Sequence, residues 1–239
     1  MPRTIKSSST TDFEFEGLTK SLSKSNQRKL HKLGHDIVSS FGQALILNGN
    51  ISTSGKTDEM LAQEVWTYIQ THVLDSPRPI YFVLDHTATL LKRARGHHKR
   101  KEFDDACLFY SLWFEHWINQ VIVYGGKRRG LSEDETTQLV RETDLSRGKS
   151  TWLLMLLDLP KLNDVHRKNF LKITELRNSY VHYKWKMRDF DKNEYAEHES
   201  VLRNVDKAIK YFQNYERRVF FENKKSRVSK AISRHRNKG

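Results

Sequence analysis

Leu171-Lys172-Ile173-Thr174-Glu175-Leu176-Arg177-Asn178-Ser179-Tyr180-Val181-His182-Tyr183-Lys184-Trp185 reads as an amphipathic helix carrying an arginine, an asparagine and, five residues after the arginine, a histidine. RNA brings its own nucleophile, the 2′-hydroxyl beside each scissile phosphate. A metal-free ribonuclease therefore needs only a proton carrier and a cation for the crowded phosphorane. Imidazole titrates near neutrality and can give or take that proton, which makes His182 the candidate acid–base group. Arg177 is the candidate for gripping the non-bridging oxygens through its planar fork. Asn178 is read as orienting His182 or the phosphate. Such a site calls for no metal and no cofactor.

The spacing alone is weak, because roughly one Arg-x4-His match is expected by chance in a chain this rich in both residues. A second match, Arg93 to His98, lies in the basic run from Lys92 to Lys101. It has Ala94 in place of the asparagine and is set aside.

Working outward, Phe103, Ala106, Tyr110, Trp113, Trp117 and Val121 predict one strongly amphipathic helix ended by Gly125-Gly126. Ser132 followed by Glu133 to Glu135 predicts another helix start. The run Thr151 to Leu157 is apolar on every face and predicts a buried core element, limited by Pro160. The motif helix starts near Asn163 or Asp164. Val201, Val205, Ala208, Phe212, Tyr215 and Val219 predict one long seam-forming helix. Four helices joined in this way read as a bundle.

Towards the N-terminus, a Ser/Thr-rich stretch to about residue 12 reads as loose. Leu30, Leu33, Ile37, Phe41 and Leu45 recur at helical spacing until Asn48-Gly49-Asn50. A second helix follows, capped by Asp58 and carrying Met60, Leu61, Val65, Trp66 and Ile69. After Ser76-Pro77-Arg78-Pro79, the run Ile80 to Asp85 suits a short buried strand or the first turns of a helix through Leu91. With no convincing strand to pair with, it is taken as helical. The expected fold class is all-α. It divides into a loose N-terminus (1–12), an N-terminal helical region (13–98), the bundle (99–222) and a basic tail (223–239).

The residues from about 101 to 223 resemble a HEPN domain, the four-helix ribonuclease module of abortive-infection proteins, toxins and RNA-guided CRISPR nucleases. Arg177-Asn178-Ser179-Tyr180-Val181-His182 has that family's Arg-(Asn/His/Asp)-x3-His form, and Glu115 and Asn119 stand where it has a polar pair on its first helix. The resemblance implies an endoribonuclease in antiviral defence or a toxin, leaving 2′,3′-cyclic phosphate and 5′-hydroxyl ends. It also implies a homodimer in which two motif helices share a cleft. Positions five apart on a helix point about 140° apart, so one straight helix does not bring Arg177 to His182; either a bent helix end or a second copy must complete the site, and the resemblance implies the second. Glu115 and Asn119, one turn apart, would tether Arg177 or Asn178.

The chain has 239 residues, 42 lysines and arginines against 29 acids, a net charge of +13 and a pI near 9.7. Such a field favours a polyanionic partner, most simply RNA, with a basic membrane surface as the other reading. The candidate RNA-binding residues are Lys127, Arg128 and Arg129, Lys184, and Lys224, Lys225 and Arg227 of the tail. No apolar run is long enough to span a membrane and no secretory signal is present, so a soluble cytoplasmic protein is expected. An antitoxin or regulatory RNA would be a further partner. The single cysteine, Cys107, leaves no internal disulfide and no cysteine-rich zinc site.

Other readings stay open at this point. Arg177 also suits a surface ion pair with Glu175 or Asp189, and His182 an ordinary polar-face histidine. The whole chain also fits a non-catalytic RNA-binding or complex-assembly helical protein. Two motifs carry little. Gly49 to Thr57 has five residues between its glycines where a phosphate-binding P-loop has four, and follows a helical stretch. His31 and His35 have helical metal-ligand spacing without the glutamate of a zinc protease.

Overall fold

The helix predicted from Phe103 is the axis around which the others pack. The computed structural model describes residues 23–74, 86–181 and 192–225. Its elements are α1 (Lys24–Leu47), α2 (Asp58–Ile69) with a π-helical turn (Gln70–Leu74), α3 (Thr87–Lys99), α4 (Phe103–Arg128), α5 (Glu133–Glu142), a π-helical segment (Leu145–Trp152), α6 (Leu153–Leu156), α7 (Asp164–Val181), α8 (Lys192–Leu202) and α9 (Val205–Phe221). Among the described residues the fold is all-α, without a strand. None of their helices is long and apolar enough to cross a membrane. The first 22 residues, Ile80 to Asp85, His182, Lys184, Arg227 and most of the basic tail lie outside the described residues, as do the side chains of His31 and His35.

α4 touches α3, α5, α6, α7, α8 and the π-helical segment. It can do so because it buries two stripes. Phe103, Ala106, Tyr110, Trp113, Trp117 and Val121 are joined in the core by Cys107, Phe114, Ile118 and Ile122. Phe114 meets Phe170 of α7 with ring centroids 4.6 Å apart, and Trp117 meets Phe212 of α9 at 4.6 Å. Burying one such side chain contributes about 1.5–3 kcal/mol, so this aromatic knot locks α4, α7 and α9 together. Leu45, Ile46, Leu61, Val65, Leu91 and Ala94 belong to the same buried cluster. The basic run from Lys92 forms the second half of α3, which lies along α4.

Several local expectations are met. Asn48 caps α1, Gly49 turns at φ +80° and a capping box joins Ser132 and Glu135. The side chain of Asn163 accepts from the amides of Val165 and His166 at the start of α7.

Other boundaries differ from the sequence expectation. α2 is capped by Thr57, whose hydroxyl accepts from the amide of Met60, with Asp58 in the first turn. Gly125 and Gly126 do not end α4, which runs on to Arg128 before Gly130 turns at φ +83°. Both glycines serve close packing: a Cβ would lie 2.8 Å from Leu159 Cδ1 at Gly125 and 2.5 Å from Thr136 Cγ2 at Gly126.

The expected final long helix is two, α8 and α9, broken at Arg203–Asn204. Asn169 of α7 donates to the carbonyl of Val201 just before the break, while Leu202 and Val205 both turn into the core. The run Thr151 to Leu157 is only half a core element. Leu153, Leu154 and Leu157 are buried, but Trp152, Met155 and Leu156 are 43%, 60% and 66% exposed. A four-residue helix lying on the bundle surface has one side to bury and, among the described residues, no element that covers the other.

Candidate functional site around Arg177 and Glu115

α7 is held in register on α4 by its inner face. Phe170, Ile173, Thr174 and Leu176 are buried, and Ser111 of α4 donates to the Thr174 hydroxyl at 3.2 Å, itself donating to the carbonyl of Phe170. The hydroxyl pair leaves neither partner unsatisfied in a dry interface. One turn on, the register brings Arg177 opposite Glu115, with Nη2 3.3 Å from Oε1. The arginine side chain is 17% exposed and the glutamate 36%, so the pair sits at the lip of the interface.

Arg177 has donors to spare. Its Nε is buried without a hydrogen-bond partner, and so is Oδ1 of Asn119, one turn along α4 from Glu115. Asn178 is exposed, as are Tyr180 and Val181 at the end of α7. The structure thus brings Arg177 together with Glu115 and leaves Asn178 facing outward. His182 is outside the described residues, while α7 stays helical through Val181.

Lys149 was missed by sequence reasoning. It stands on the π-helical segment, half-buried between buried Gly148 and Ser150. Burial pulls its ammonium below the ordinary lysine value, against the attraction of Glu115 and Asp144. A signal existed in Gly148-Lys149-Ser150, which repeats the second half of a phosphate-binding loop. Thr143 stands where the first glycine would be, and the preceding element is the helix α5 rather than a strand.

Four of the basic residues read as RNA contacts, Arg128, Arg129, Lys224 and Lys225, have partners within the protein. Arg128 donates to the carbonyls of Ile46 (2.7 Å), Leu47 (3.2 Å) and Phe220 (3.0 Å), and its guanidinium lies 4.9 Å over the Phe220 ring. It thereby ties the C-terminal ends of α1 and α9 to that of α4, and burial lowers its pKa. Thirteen residues of helix separate it from Glu115, roughly 20 Å of axial rise. Arg129 pairs with Asp158, Lys224 donates to the carbonyl of Thr53 at 2.8 Å, and Lys225 to Glu216 at 2.6 Å. Lys127 lines a cavity of about 280 Å³ with Asn48, Thr53 and Phe220.

His97, Glu102 and Asp105 bring ligand atoms within 4.8 Å of one another, the spacing a metal ion would require. Arg100 already fills the role of the cation there. Its Nη2 lies 2.8 Å from Glu102 and 3.2 Å from His97 Nδ1, so the group is a surface ion-pair network. In the set-aside second match, Arg93 lies over the Phe109 ring and His98 meets the Tyr110 hydroxyl. Comparison of the chain with protein-family models, curated proteins and solved structures returned no match.

Proposed function

We propose that this protein is a metal-independent endoribonuclease of the HEPN kind, acting in defence or as a toxin, with RNA as substrate. The observation that carries the reading is the approach of Arg177 to Glu115, which fixes the guanidinium at the lip of the α4–α7 interface, its buried Nε without a partner. A substrate 2′-hydroxyl would attack the adjacent phosphorus as His182 takes its proton. Arg177 would hold the non-bridging oxygens as charge builds on them, and the 5′-oxygen would leave with a proton from solvent water. The products would be a 2′,3′-cyclic phosphate and a 5′-hydroxyl.

On an ideal straight helix positions 177 and 182 point about 140° apart, and the reading takes a homodimer, in which one copy completes the other's site, over a bent helix end. Exposed Tyr180 and Val181 at the end of α7 are the apolar residues such a contact would cover. An antitoxin or regulatory RNA would hold the enzyme silent.

The test is incubation of the purified protein with bulk RNA in EDTA, beside Arg177→Ala and His182→Ala. The reading expects wild-type cleavage and two inactive variants. RNA that is shifted on a gel yet left intact by the wild type favours the second reading, a non-catalytic RNA-binding or complex-assembly protein. The exposed run of Trp152, Met155 and Leu156 is the observation on that side.

A further inference from the structure

A cavity of about 650 Å³ opens between α5 and the π-helical segment, with Leu131, Leu139 and Trp152 among its lining residues. Trp152 is 43% exposed and both leucines are half-buried, so the groove keeps apolar surface in water. Gly148 sets its shape. A Cβ there would overlap Thr143 Cγ2, so the missing side chain is what lets the segment close onto the end of α5.

The rim of this groove is acidic in a chain of net charge +13. Glu135, Glu142 and Asp144 line it, and Glu133 and Asp134 precede them in the first turn of α5. Arg147 is the opposing cation, which leaves the lining net negative. Each of the three carboxylates is bonded through one oxygen: Glu135 Oε2 by the Ser132 amide, Glu142 Oε1 by Gln138, and Asp144 Oδ1 by the amides of Ser146 and Arg147. None of the three is in an ion pair among the described residues.

An apolar floor with an acidic rim fits a segment that has an apolar stripe between cations. Residues 226–239 have that pattern. They hold Arg227, Lys230, Arg234, Arg236 and Lys238 and no acid, while Val228, Ala231 and Ile232 fall at helical spacing. The described residues end at Lys225, close to where the groove begins: Arg128, three residues before Leu131, donates to the carbonyl of Phe220 at 3.0 Å. Extended, residues 226–239 reach up to about 46 Å, against a length of about 15 Å for α5.

We infer that the groove between α5 and the π-helical segment is the docking site of this chain's own residues 226–239, with Val228 and Ile232 on Trp152 and the basic residues against Glu135, Glu142 and Asp144. The inference is independent of the nuclease reading. Cations docked in the groove are withheld from other polyanions, which must compete with its carboxylates for them.

The experiment places a bimane fluorophore on Ser229→Cys in the full chain, because an indole in contact quenches bimane emission. Cys107 is fully buried and stays unlabelled. The labelled protein is compared with Trp152→Phe, which keeps an aromatic ring but removes the quencher, and with Glu142→Lys at an exposed position. Urea unfolding verifies that each variant is folded. Emission is expected to rise severalfold in Trp152→Phe and to rise in Glu142→Lys and at high salt, where contacts between exposed charges are screened. Dilution should leave the quenching unchanged, as contact within one chain requires.

Emission indifferent to Trp152→Phe overturns the inference, and so does quenching that survives both Glu142→Lys and high salt. Quenching that fades on dilution assigns the groove to residues 226–239 of a second copy and overturns docking within one chain.

Discussion

Arg177 of α7 and Glu115 of α4 meet at 3.3 Å across a helix interface whose register is fixed by the buried Ser111–Thr174 hydroxyl pair. The pair lies at the rim of the interface, the arginine side chain 17% and the glutamate 36% exposed, so its net worth to folding is modest, about 1 kcal/mol. Its worth to the site is positional. Glu115→Gln is expected to leave urea unfolding within about 1 kcal/mol of the wild type while lowering RNA cleavage at least tenfold. Equal cleavage would show that Arg177 needs no tether.

Arg128 carries the opposite balance. Its donors satisfy three helix-end carbonyls, which Arg128→Ala would leave without this charged donor. The expected loss is about 2–4 kcal/mol in chemical unfolding, with RNA affinity changed little. A variant as stable as the wild type but poor in RNA binding would return Arg128 to the nucleic-acid surface.

The aromatic knot gives the clearest core test. Phe212 is fully buried among Phe114, Trp117 and Phe170, and its removal leaves a cavity that rigid neighbours do not fill. Phe212→Ala should cost about 3–5 kcal/mol. Differential unfolding by denaturant measures it.

These contrasts show what was readable in the chain and what was not. The stripe of α4, the caps at Ser132 and Asn163 and the start of α7 are local patterns, and each lies where its pattern put it. Gly125-Gly126 was read as a stop because glycine weakens a helix locally. Its actual use depends on Leu159 and Thr136, which only the fold brings near. The role of Arg128 was hidden for the same reason: its partners are carbonyls at the ends of other helices, and the sequence shows only its charge. Glu115 was singled out only because it and Asn119 stand where the family that the sequence resembles has a polar pair.

Burial makes Lys149 sensitive to pH. Its ammonium is held below the ordinary 10.5 by desolvation, with Glu115 from α4 and Asp144 from its own segment opposing the shift, and Arg177 beyond Glu115. Between the folded and unfolded values the unfolded chain binds more protons, so this lysine's contribution to stability rises as pH climbs towards 10.5. Below the folded value the penalty is fully present. Lys149→Met should therefore be at least as stable as wild type at neutral pH and should lack that alkaline gain, as compared by urea unfolding at neutral and alkaline pH. A variant less stable at neutral pH would mean the ammonium has a structural partner.

Cys107 is fully buried in α4 and burial pushes its thiol up to about 12. It should resist thiol reagents in the native state and react only as the protein unfolds. Rapid native labelling would contradict the packing around α4.

The central claim is that an arginine and a histidine from paired copies act on one RNA phosphate, and protomer mixing tests it most directly. Arg177→Ala and His182→Ala proteins are combined, allowed to exchange subunits and assayed on RNA in EDTA. The account predicts that the mixture regains cleavage neither variant has alone, because each mixed dimer rebuilds one site with both groups. A mixture as inactive as its parts, beside an active wild type, would contradict a site shared between copies.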